Sequence, residues 1–296
     1  MIRLLQPGDE AALEAFLQPK ISSSMFLISN LRKAGLADNG RPHEGTYAAV
    51  FEDDQIVAVA GLFWNGSLIL QSPPSFVGGL LQAVTAASNR PIMRLIGPQE
   101  QVQTVIEQYQ LKPTDFQMDE PEMLYQLQIE QMTIPAPLRR GEWHGRLLQA
   151  RDLETMTRWR VGYAVEALGE IETAELWQQM RTGVERYLDR RQSWILEDRS
   201  VPVSTSSFNA TTAEAVQVGG VWTPPEWRSR GYGRGAVAAS LLGVQKDGVQ
   251  TAILFTGEAN VPAQKAYEAL GFRHIGDYRI TLLKAPLQPP AQNSKP

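Results

Sequence analysis

Two adjoining stretches decide the fold of the second half of the chain: Ala215-Val-Gln-Val-Gly-Gly-Val-Trp-Thr223 and Arg228-Ser-Arg-Gly-Tyr-Gly-Arg-Gly235. The first alternates as a strand does but carries two interior glycines, which mark a bulge or a place where a ligand lies against the backbone. The second leads directly into a segment where Val237, Leu241 and Val244 recur at helical spacing. The sequence therefore predicts a strand, a glycine-rich loop and a helix, in that order.

Such a loop between a strand and a helix N-terminus is typical of an anion-binding site. Backbone N–H groups converge there, the helix dipole favours negative charge, and glycines let a phosphate approach the main chain. Arg228, Arg230 and Arg234 add cationic donors suited to phosphate oxygens. The loop lacks the Gly-Lys-Ser/Thr of a P-loop and the acidic residue about 20 positions on of a dinucleotide fingerprint. We interpret it as a pyrophosphate cradle.

The next two elements present a polar stripe. Residues 251–256 form an apolar, strand-like run, and a helix with an early proline follows from Asn260, a capping residue, until Gly271 ends it. Seven residues separate Asn260 from Tyr267, which is about two helical turns, so both lie on one face with Ala263. One stripe thus offers an amide, a small gap and a phenol.

Together these segments resemble the GNAT family of acetyl-coenzyme A-dependent N-acetyltransferases. The resemblance is carried by Val218–Thr223, by Arg-x-x-Gly-x-Gly at Arg228–Gly233, and by Asn-x-x-Ala-x-x-x-Tyr-x-x-x-Gly-Phe at Asn260–Phe272. It covers about the last third of the chain by motif, and the chain from about Glu142 by element order. Tandem GNAT proteins are known as a class, and the first half resembles a degenerate copy without the glycine loop. That half has Tyr109 but no asparagine to match Asn260.

The resemblance implies acetyl-CoA as co-substrate and no metal. It implies that the pantetheine arm lies along the strand before the loop, that the loop holds the pyrophosphate, and that Asn260 binds the pantetheine amides. The implied coenzyme-binding residues are Val221, Trp222, Thr223, Arg228, Ser229, Arg230, Gly231, Tyr232, Gly233, Arg234, Gly235, Asn260, Ala263 and Tyr267.

The resemblance also implies direct attack by a neutral amine through a tetrahedral intermediate. Tyr267 would donate a proton to the departing thiolate; a tyrosine packed in the helix is the alternative. Three carboxylates compete for the role of base: Glu166, Glu214 and Glu258. Glu166 is preferred because this helical region of the family borders the acceptor pocket, which Trp159 and Tyr163 would line. The strand itself carries Gln217 where some members place a glutamate.

The first half predicts a mixed α/β unit. It begins with a strand at residues 2–5, followed by helices and an antiparallel meander. A helix, a strand, a second helix and a second strand come next, and Pro135 and Pro137 mark the end of the unit. The Asn65-Gly66 step predicts a type I′ hairpin turn, which needs positive φ at both residues. Arg146-Leu-Leu-Gln-Ala-Arg-Asp152 echoes Arg3-Leu-Leu-Gln-Pro-Gly-Asp9.

We therefore predict an α+β (α/β) protein of two GNAT-like units, each a mixed, mostly antiparallel sheet flanked by helices. The predicted domains are residues 1–135, a degenerate copy, and 142–285, a catalytic domain with a splayed strand pair that binds CoA. Residues 286–296, rich in proline and polar residues, predict a disordered tail.

Composition narrows the class of partner. The chain has 296 residues, a net charge of -4, no cysteine, and three histidines without ligand spacing. These features argue against nucleic acid, disulfides and a structural metal. No apolar run reaches the roughly 18 residues of a membrane span and the N-terminus reads as no export signal, so we expect a soluble cytoplasmic protein.

The acceptor is not specified by any charge pattern in the sequence. A small-molecule amine and a protein or peptide N-terminus are both open, with the protein a monomer or a homodimer. Two alternatives to N-acetyl transfer also stay open. One is a non-catalytic module that binds acyl-CoA, and the other is transfer to a hydroxyl or of a longer acyl chain.

Overall fold

The computed structural model describes residues 1–88 and 90–287. The predicted tail lies outside the described residues, apart from Pro286 and Leu287, which belong to the last strand. The elements are β1 Ile2–Leu4, α1 Glu10–Leu17, α2 Ile21–Ala34, β2 Gly45–Glu52, β3 Gln55–Phe63, β4 Ser67–Gln71, α3 Pro74–Ser88, β5 Ile92–Pro98, α4 Gln99–Gln108, β6 Phe116–Gln128, α5 Ala136–Arg139, β7 Trp143–Leu147, α6 Leu153–Leu168, α7 Ala174–Arg190, β8 Ser193–Asp198, β9 Val201–Thr211, β10 Ala215–Trp222, α8 Tyr232–Gln245, β11 Thr251–Gly257, α9 Val261–Glu268 and β12 Arg273–Leu287.

The chain forms two compact units that interleave in sequence. Among the described residues, unit 1 contains 1–124, 255–259 and 274–287, and unit 2 contains 125–254 and 260–273. Each unit is therefore built from more than one segment of chain. The last strand, β12, belongs to unit 1 from His274, while Tyr125–Gln128 at the end of β6 belong to unit 2.

Each unit has a mixed sheet with one parallel pair. In unit 1 the strand order is β1-β2-β3-β4-β5-β12. In unit 2 it is β7-β8-β9-β10-β11-β6, in which β11 contributes residues 251–254 and β6 residues 125–128. The β4–β5 and β10–β11 pairs are parallel, whereas the meanders β2-β3-β4 and β8-β9-β10 are antiparallel. The predicted fold class, a mostly antiparallel sheet flanked by helices, is confirmed.

The similar segments at residues 3–9 and 146–152 form the same side-chain ion pair in both units. Arg3 donates two hydrogen bonds to Asp9, at 2.7 and 2.8 Å, and Arg146 donates two to Asp152, at 2.6 and 2.8 Å. Each aspartate also accepts a backbone N–H three residues earlier, at 2.9 Å in both cases. These bidentate pairs tie the first strand of each unit to the start of its first helix.

The predicted type I′ turn at Asn65-Gly66 is wrong. Of these two residues only Gly66 has a positive φ, of 74°, and Asn65 instead accepts a hydrogen bond from the N–H of Ser67 through its side chain. The two-residue turns with positive φ at both positions lie elsewhere. They are Asp53-Asp54, between β2 and β3, and Arg199-Ser200, between β8 and β9. Local hydrogen bonding by the asparagine side chain replaced the turn that its sequence favours.

The strands predicted at residues 2–5 and 251–256 are β1, Ile2–Leu4, and β11, Thr251–Gly257. The helix after the glycine loop begins earlier than predicted, at Tyr232, so Gly233, Arg234 and Gly235 lie in its first turn. No helix among the described residues is long and apolar enough to cross a membrane. The same part of the chain contains no cluster of His, Cys, Asp and Glu suited to a metal ion.

Candidate functional site

Strand β10 of unit 2 loses its parallel neighbour partway along. Its register with β11 runs from Ala215↔Thr251 to Val218↔Leu254, yet β10 continues to Trp222. The pairing with β9 is also irregular between Gly219 and Trp222, where Gly220 has a φ of 58°. This irregularity is a β-bulge. The end of β10 therefore presents backbone groups that have no β11 partner in the described register.

The helix N-terminus beside this strand end carries unpaired donors. Gly231, with a φ of 80°, is the residue that precedes α8, and no side chain among the described residues caps the helix. Helix geometry leaves the first N–H groups without intrahelical acceptors. Ser229 also has a positive φ, of 62°, which turns the loop sharply before the helix. The loop thus directs several free N–H groups and the positive end of the dipole to one place.

Two glycines of α8 have different roles. A Cβ at Gly233 would lie 3.3 Å from Thr223 Oγ1 and 3.9 Å from Val221 Cγ1, so this glycine lies against the unpaired end of β10. A Cβ at Gly235 would lie 2.7 Å from the Trp143 ring, inside the core. Gly235 is therefore required for helix packing, while Gly233 keeps the space beside β10 open.

The arginines of the loop are held in different ways. Arg234 has a buried Nε with no hydrogen-bond partner among the described residues, and the Arg230 guanidinium lies 5.1 Å from the centroid of the Trp227 ring. Arg228 stacks 4.8 Å from the Trp222 ring centroid and donates to the Thr223 carbonyl at 3.1 Å. A buried guanidinium nitrogen without an acceptor is costly unless a ligand supplies one.

Several residues predicted to bind coenzyme have side chains that are already engaged. The Tyr232 hydroxyl donates to Asp198 at 2.5 Å, and this hydrogen bond raises the pKa of the Tyr232 phenol. Trp222 packs edge-on against Tyr163, with ring centroids 5.9 Å apart. The Thr223 hydroxyl lies 2.9 Å from the Ser204 hydroxyl. Tyr232 and Trp222 can contribute to a ligand site through their backbones, while their side chains belong to the core.

The predicted stripe on α9 keeps its residues on one helix. Asn260 caps α9, and its Oδ1 accepts the N–H of Ala263 at 3.3 Å, which leaves the Nδ2 donors available. Tyr267 is half-buried and packs edge-on against Phe272, with ring centroids 5.9 Å apart. The cap thus fixes the orientation of the Asn260 amide without using its donors.

The candidate bases lie in unlike places. The Glu166 carboxylate forms a bidentate ion pair with Arg228. Its Oε1 lies 2.8 Å from Nη1 and its Oε2 lies 2.9 Å from Nη2. Glu214 precedes β10, six residues from Gly220, which is about 20 Å along an extended strand. Glu258 follows β11 and falls in unit 1. Gln217 is 3% exposed, and its Oε1 is buried without a partner among the described residues.

The two residues predicted to line the acceptor pocket, Trp159 and Tyr163, lie on α6 beside the end of β10. Trp159 is buried in a cluster with Met156 and Trp222, and Tyr163 packs at the edge of that cluster. Gly162 faces the Trp222 ring, 3.4 Å from where a Cβ would lie. α6 therefore rests on the end of β10 through aromatic contacts.

Sequence reasoning missed Glu122, on β6 in unit 1. Burial, together with the charge of Glu120, raises the pKa of the Glu122 carboxyl to about 7, and its Oε2 has no hydrogen-bond partner among the described residues. The only signal in the sequence is the acidic run Asp119-Glu-Pro-Glu122, which reads equally well as an exposed loop. The perturbation depends on burial and could not be predicted from the residues.

Unit 1 has a corresponding strand pair with a different loop. The β4–β5 pairing ends at Ile69↔Ile96, while β4 continues to Gln71. Ser72 and two prolines then lead into α3. The Ser72 N–H donates at 2.9 Å to the side chain of Gln101, which comes from α4. A cavity of about 510 Å³ adjoins these residues. Prolines supply no N–H donors, so this loop cannot cradle a phosphate as the loop of unit 2 can.

Comparisons with known proteins place the sequence match in the second half of the chain. The acetyltransferase (GNAT) family model matches residues 153–272. No curated protein matches the sequence significantly. A solved Drosophila protein is 15% identical over 95% of this chain and 98% of that chain, with a TM-score of 0.65.

Two further solved structures cover both units. A tandem GNAT protein from the clavulanic acid biosynthesis pathway is 11% identical, covering 98% of this chain and 99% of that chain, with a TM-score of 0.57. A GCN5-related N-acetyltransferase from Sphaerobacter thermophilus is 14% identical, covering 98% and 96%, with a TM-score of 0.55. At these identities the likeness is one of fold, and it extends over nearly the whole chain.

Proposed function

Since residues 153–272 match the acetyltransferase (GNAT) family model, we propose that unit 2 transfers an acetyl group from acetyl-CoA to a primary amine. One observation carries the proposal. The uncapped N-terminus of α8 lies beside the strand end of β10 that has no β11 partner, where Gly233 faces Thr223 and Val221. A phosphate-bearing ligand with an extended amide arm needs both features at once.

The residues present fit such a co-substrate. The N–H groups in the first turn of α8 would bind the pyrophosphate, and a phosphate oxygen would accept a hydrogen bond from the buried Nε of Arg234. The end of β10 at Val221 and Thr223 would hydrogen-bond the pantetheine amides as a neighbouring strand does. The free Nδ2 of Asn260 would donate to the same arm.

The chemistry requires a proton donor for the departing thiolate and a neutral amine. We assign the first role to the Tyr267 phenol. Glu166 is engaged through both oxygens with Arg228, so we assign it the role of orienting that guanidinium rather than that of base. Gln217 supplies a buried hydrogen-bond acceptor but no proton acceptor at neutral pH. Activity should therefore rise with pH as the ammonium group of the acceptor loses its proton.

The acceptor class stays a small-molecule amine or a peptide N-terminus. The acidic net charge of -4 offers no general affinity for nucleic acid, and we expect a monomer or a homodimer in the cytoplasm. Neither expectation bears on the chemistry of the coenzyme site.

The proposal is tested with recombinant protein, acetyl-CoA and a panel of amines, by release of free thiol and by product mass. We expect amine-dependent thiol release and a product heavier by one acetyl group. Thiol release without an acetylated amine, or a product acylated on oxygen, would contradict N-acetyl transfer. A mass increment larger than acetyl would identify a longer acyl chain.

A second candidate function is favoured by the engaged Glu166 and by Gln217 in the strand. A module that binds acyl-CoA without turnover needs the phosphate cradle but no base. Calorimetry combined with the amine panel distinguishes the two, because this module would bind acetyl-CoA tightly and acetylate no amine. One efficiently acetylated acceptor excludes it.

A further inference from the structure

Arg160 is a half-buried cation on α6 of unit 2. Its guanidinium carbon lies 5.1 Å from the centroid of the Tyr163 ring and 5.9 Å from that of Tyr187, a residue of α7. Stacking of this kind covers the faces of a guanidinium and leaves the N–H donors in its plane unused. The two tyrosines thus hold the charge in place without neutralising it.

No carboxylate neutralises Arg160 within the described part of the chain. The tyrosine contacts are its interactions there, and it forms neither a hydrogen bond nor an ion pair. Arg146 and Arg228 in the same unit each pair with a carboxylate. Partial burial weakens the hydration of Arg160, so an anion that reaches it gains a charge-assisted, bidentate contact.

Arg160 lies against the bulge of β10. A Cβ at Gly220 would lie 3.2 Å from Arg160 Nη1 and 3.7 Å from Ser207 Oγ. Gly220 belongs to the stretch of β10 without a β11 partner, along which the acyl arm is proposed to bind. The cation therefore adjoins the place where acceptor and acyl group would meet, on the helix that packs against Trp222.

We propose that Arg160 binds a carboxylate carried by the acetyl acceptor, so that the substrates of this site are amines that also bear a carboxylate, such as free amino acids. The inference rests on the proposed function. Arg160 would form a bidentate contact with the carboxylate and would thereby place the amine next to β10. The acyl group is the other possible carrier of a carboxylate, and the choice of acyl donor separates the two.

The test compares amino acids with their C-terminal amides as acceptors, using thiol release with acetyl-CoA. Wild-type protein should prefer the acids. Arg160→Gln should lower kcat/KM for the acids by about 10- to 100-fold, mainly through KM, and leave the amides unchanged. Arg158→Gln is the matched control, because Arg158 is exposed on the same helix. Equal losses for acids and amides, or no loss for either, would overturn the proposal.

Two further measurements distinguish a failure of the Arg160 assignment from a failure of the proposed function. Arg160→Gln should bind CoA as wild type does in calorimetry, which shows that the cradle is intact. If no amine is acetylated, N-acetylamino acids and their amides are titrated into the CoA complex. The wild-type complex should then bind the N-acetylamino acids more tightly than their amides, and the Arg160→Gln complex should bind both equally. A selective loss of succinyl-CoA turnover in Arg160→Gln would place the carboxylate on the acyl group and contradict the assignment.

Discussion

Unit 1 and unit 2 share a framework but differ at the one loop where chemistry would occur. Both have a bidentate Arg–Asp pair at the first strand, a two-residue turn with positive φ in the meander, and a parallel strand pair that ends early. Unit 2 follows this with a glycine loop and an uncapped helix. Unit 1 follows it with Ser72 and two prolines, and Gln101 occupies the Ser72 N–H. The framework and the site can therefore vary independently.

The largest expected difference between the units is catalytic. Tyr267→Phe should lower kcat by about 100-fold or more, because loss of a positioned acid costs about 10²–10⁴ in rate. CoA affinity should stay unchanged. Tyr109→Phe in unit 1 is the matched control and should leave kcat unaltered, since the Tyr109 hydroxyl is buried without a partner among the described residues. Equal turnover by Tyr267→Phe would remove that residue from the mechanism.

The Arg146–Asp152 and Arg3–Asp9 pairs should contribute differently to the free energy of unfolding because they differ in burial. The side chains of Arg146 and Asp152 are 18% and 6% exposed, against 39% and 21% for Arg3 and Asp9. Asp152→Asn should cost about 2 kcal/mol of unfolding free energy and Asp9→Asn about 1, because the Arg146–Asp152 pair is better shielded from solvent, although Arg146 keeps Glu197 as a second partner at 2.7 Å. Urea denaturation measures both.

The pKa of each aspartate sets the direction of the pH dependence. The hydrogen bonds from Arg3 lower the pKa of Asp9 to about 2. For Asp152, burial acts to raise the pKa, but the Arg146 and backbone hydrogen bonds outweigh it and the pKa is lowered. Stability from both pairs is present above the unfolded pKa, near 4, and is lost as pH falls through the folded value. Equal losses of unfolding free energy in Asp152→Asn and Asp9→Asn would contradict the argument that the two pairs differ through burial.

Unit 1 also contains Glu122, a half-buried carboxylate whose Oε2 has no hydrogen-bond partner among the described residues. The raised pKa of Glu122, about 7, means that the folded state binds a proton that the unfolded state releases above about pH 4.5. Stability should therefore fall as pH rises from about 4.5 to 7. Glu122→Gln should recover up to about 3 kcal/mol at pH 8 and little at pH 4. Urea denaturation at both pH values checks this, and an equal effect at the two would contradict it.

The smallest effect concerns Glu166. As a residue that orients Arg228, it should affect coenzyme binding more than chemistry, so Glu166→Gln should weaken CoA binding by about threefold, in line with exposed ion pairs of up to about 1 kcal/mol. kcat and its pH profile should be unchanged. A large loss of kcat with a flattened pH profile would instead identify Glu166 as the base.

The sequence was informative where function depends on local pattern. The strand, the loop and the Asn260-to-Tyr267 stripe are written in consecutive residues, and each was predicted close to its place. The partner of Glu166 was not predictable, because Arg228 is 62 positions away and only the fold joins them. Arg160 was missed for a similar reason. Whether Arg160 has a carboxylate partner depends on the three-dimensional fold, and no local sequence pattern indicates it.

The central claim is that unit 2 alone binds the coenzyme, through the helix N-terminus that Gly233 keeps open. Calorimetric titration with CoA tests it directly, using wild type, Gly233→Ala and Gly183→Ala. Gly183 lies in a helix of the same unit with no atom within 4 Å of its would-be Cβ, so it is a matched control. We predict one CoA per chain, weakened about tenfold by Gly233→Ala, a loss of about 1.4 kcal/mol, and unaffected by Gly183→Ala. Two CoA per chain, or binding that Gly233→Ala leaves intact, would contradict the claim.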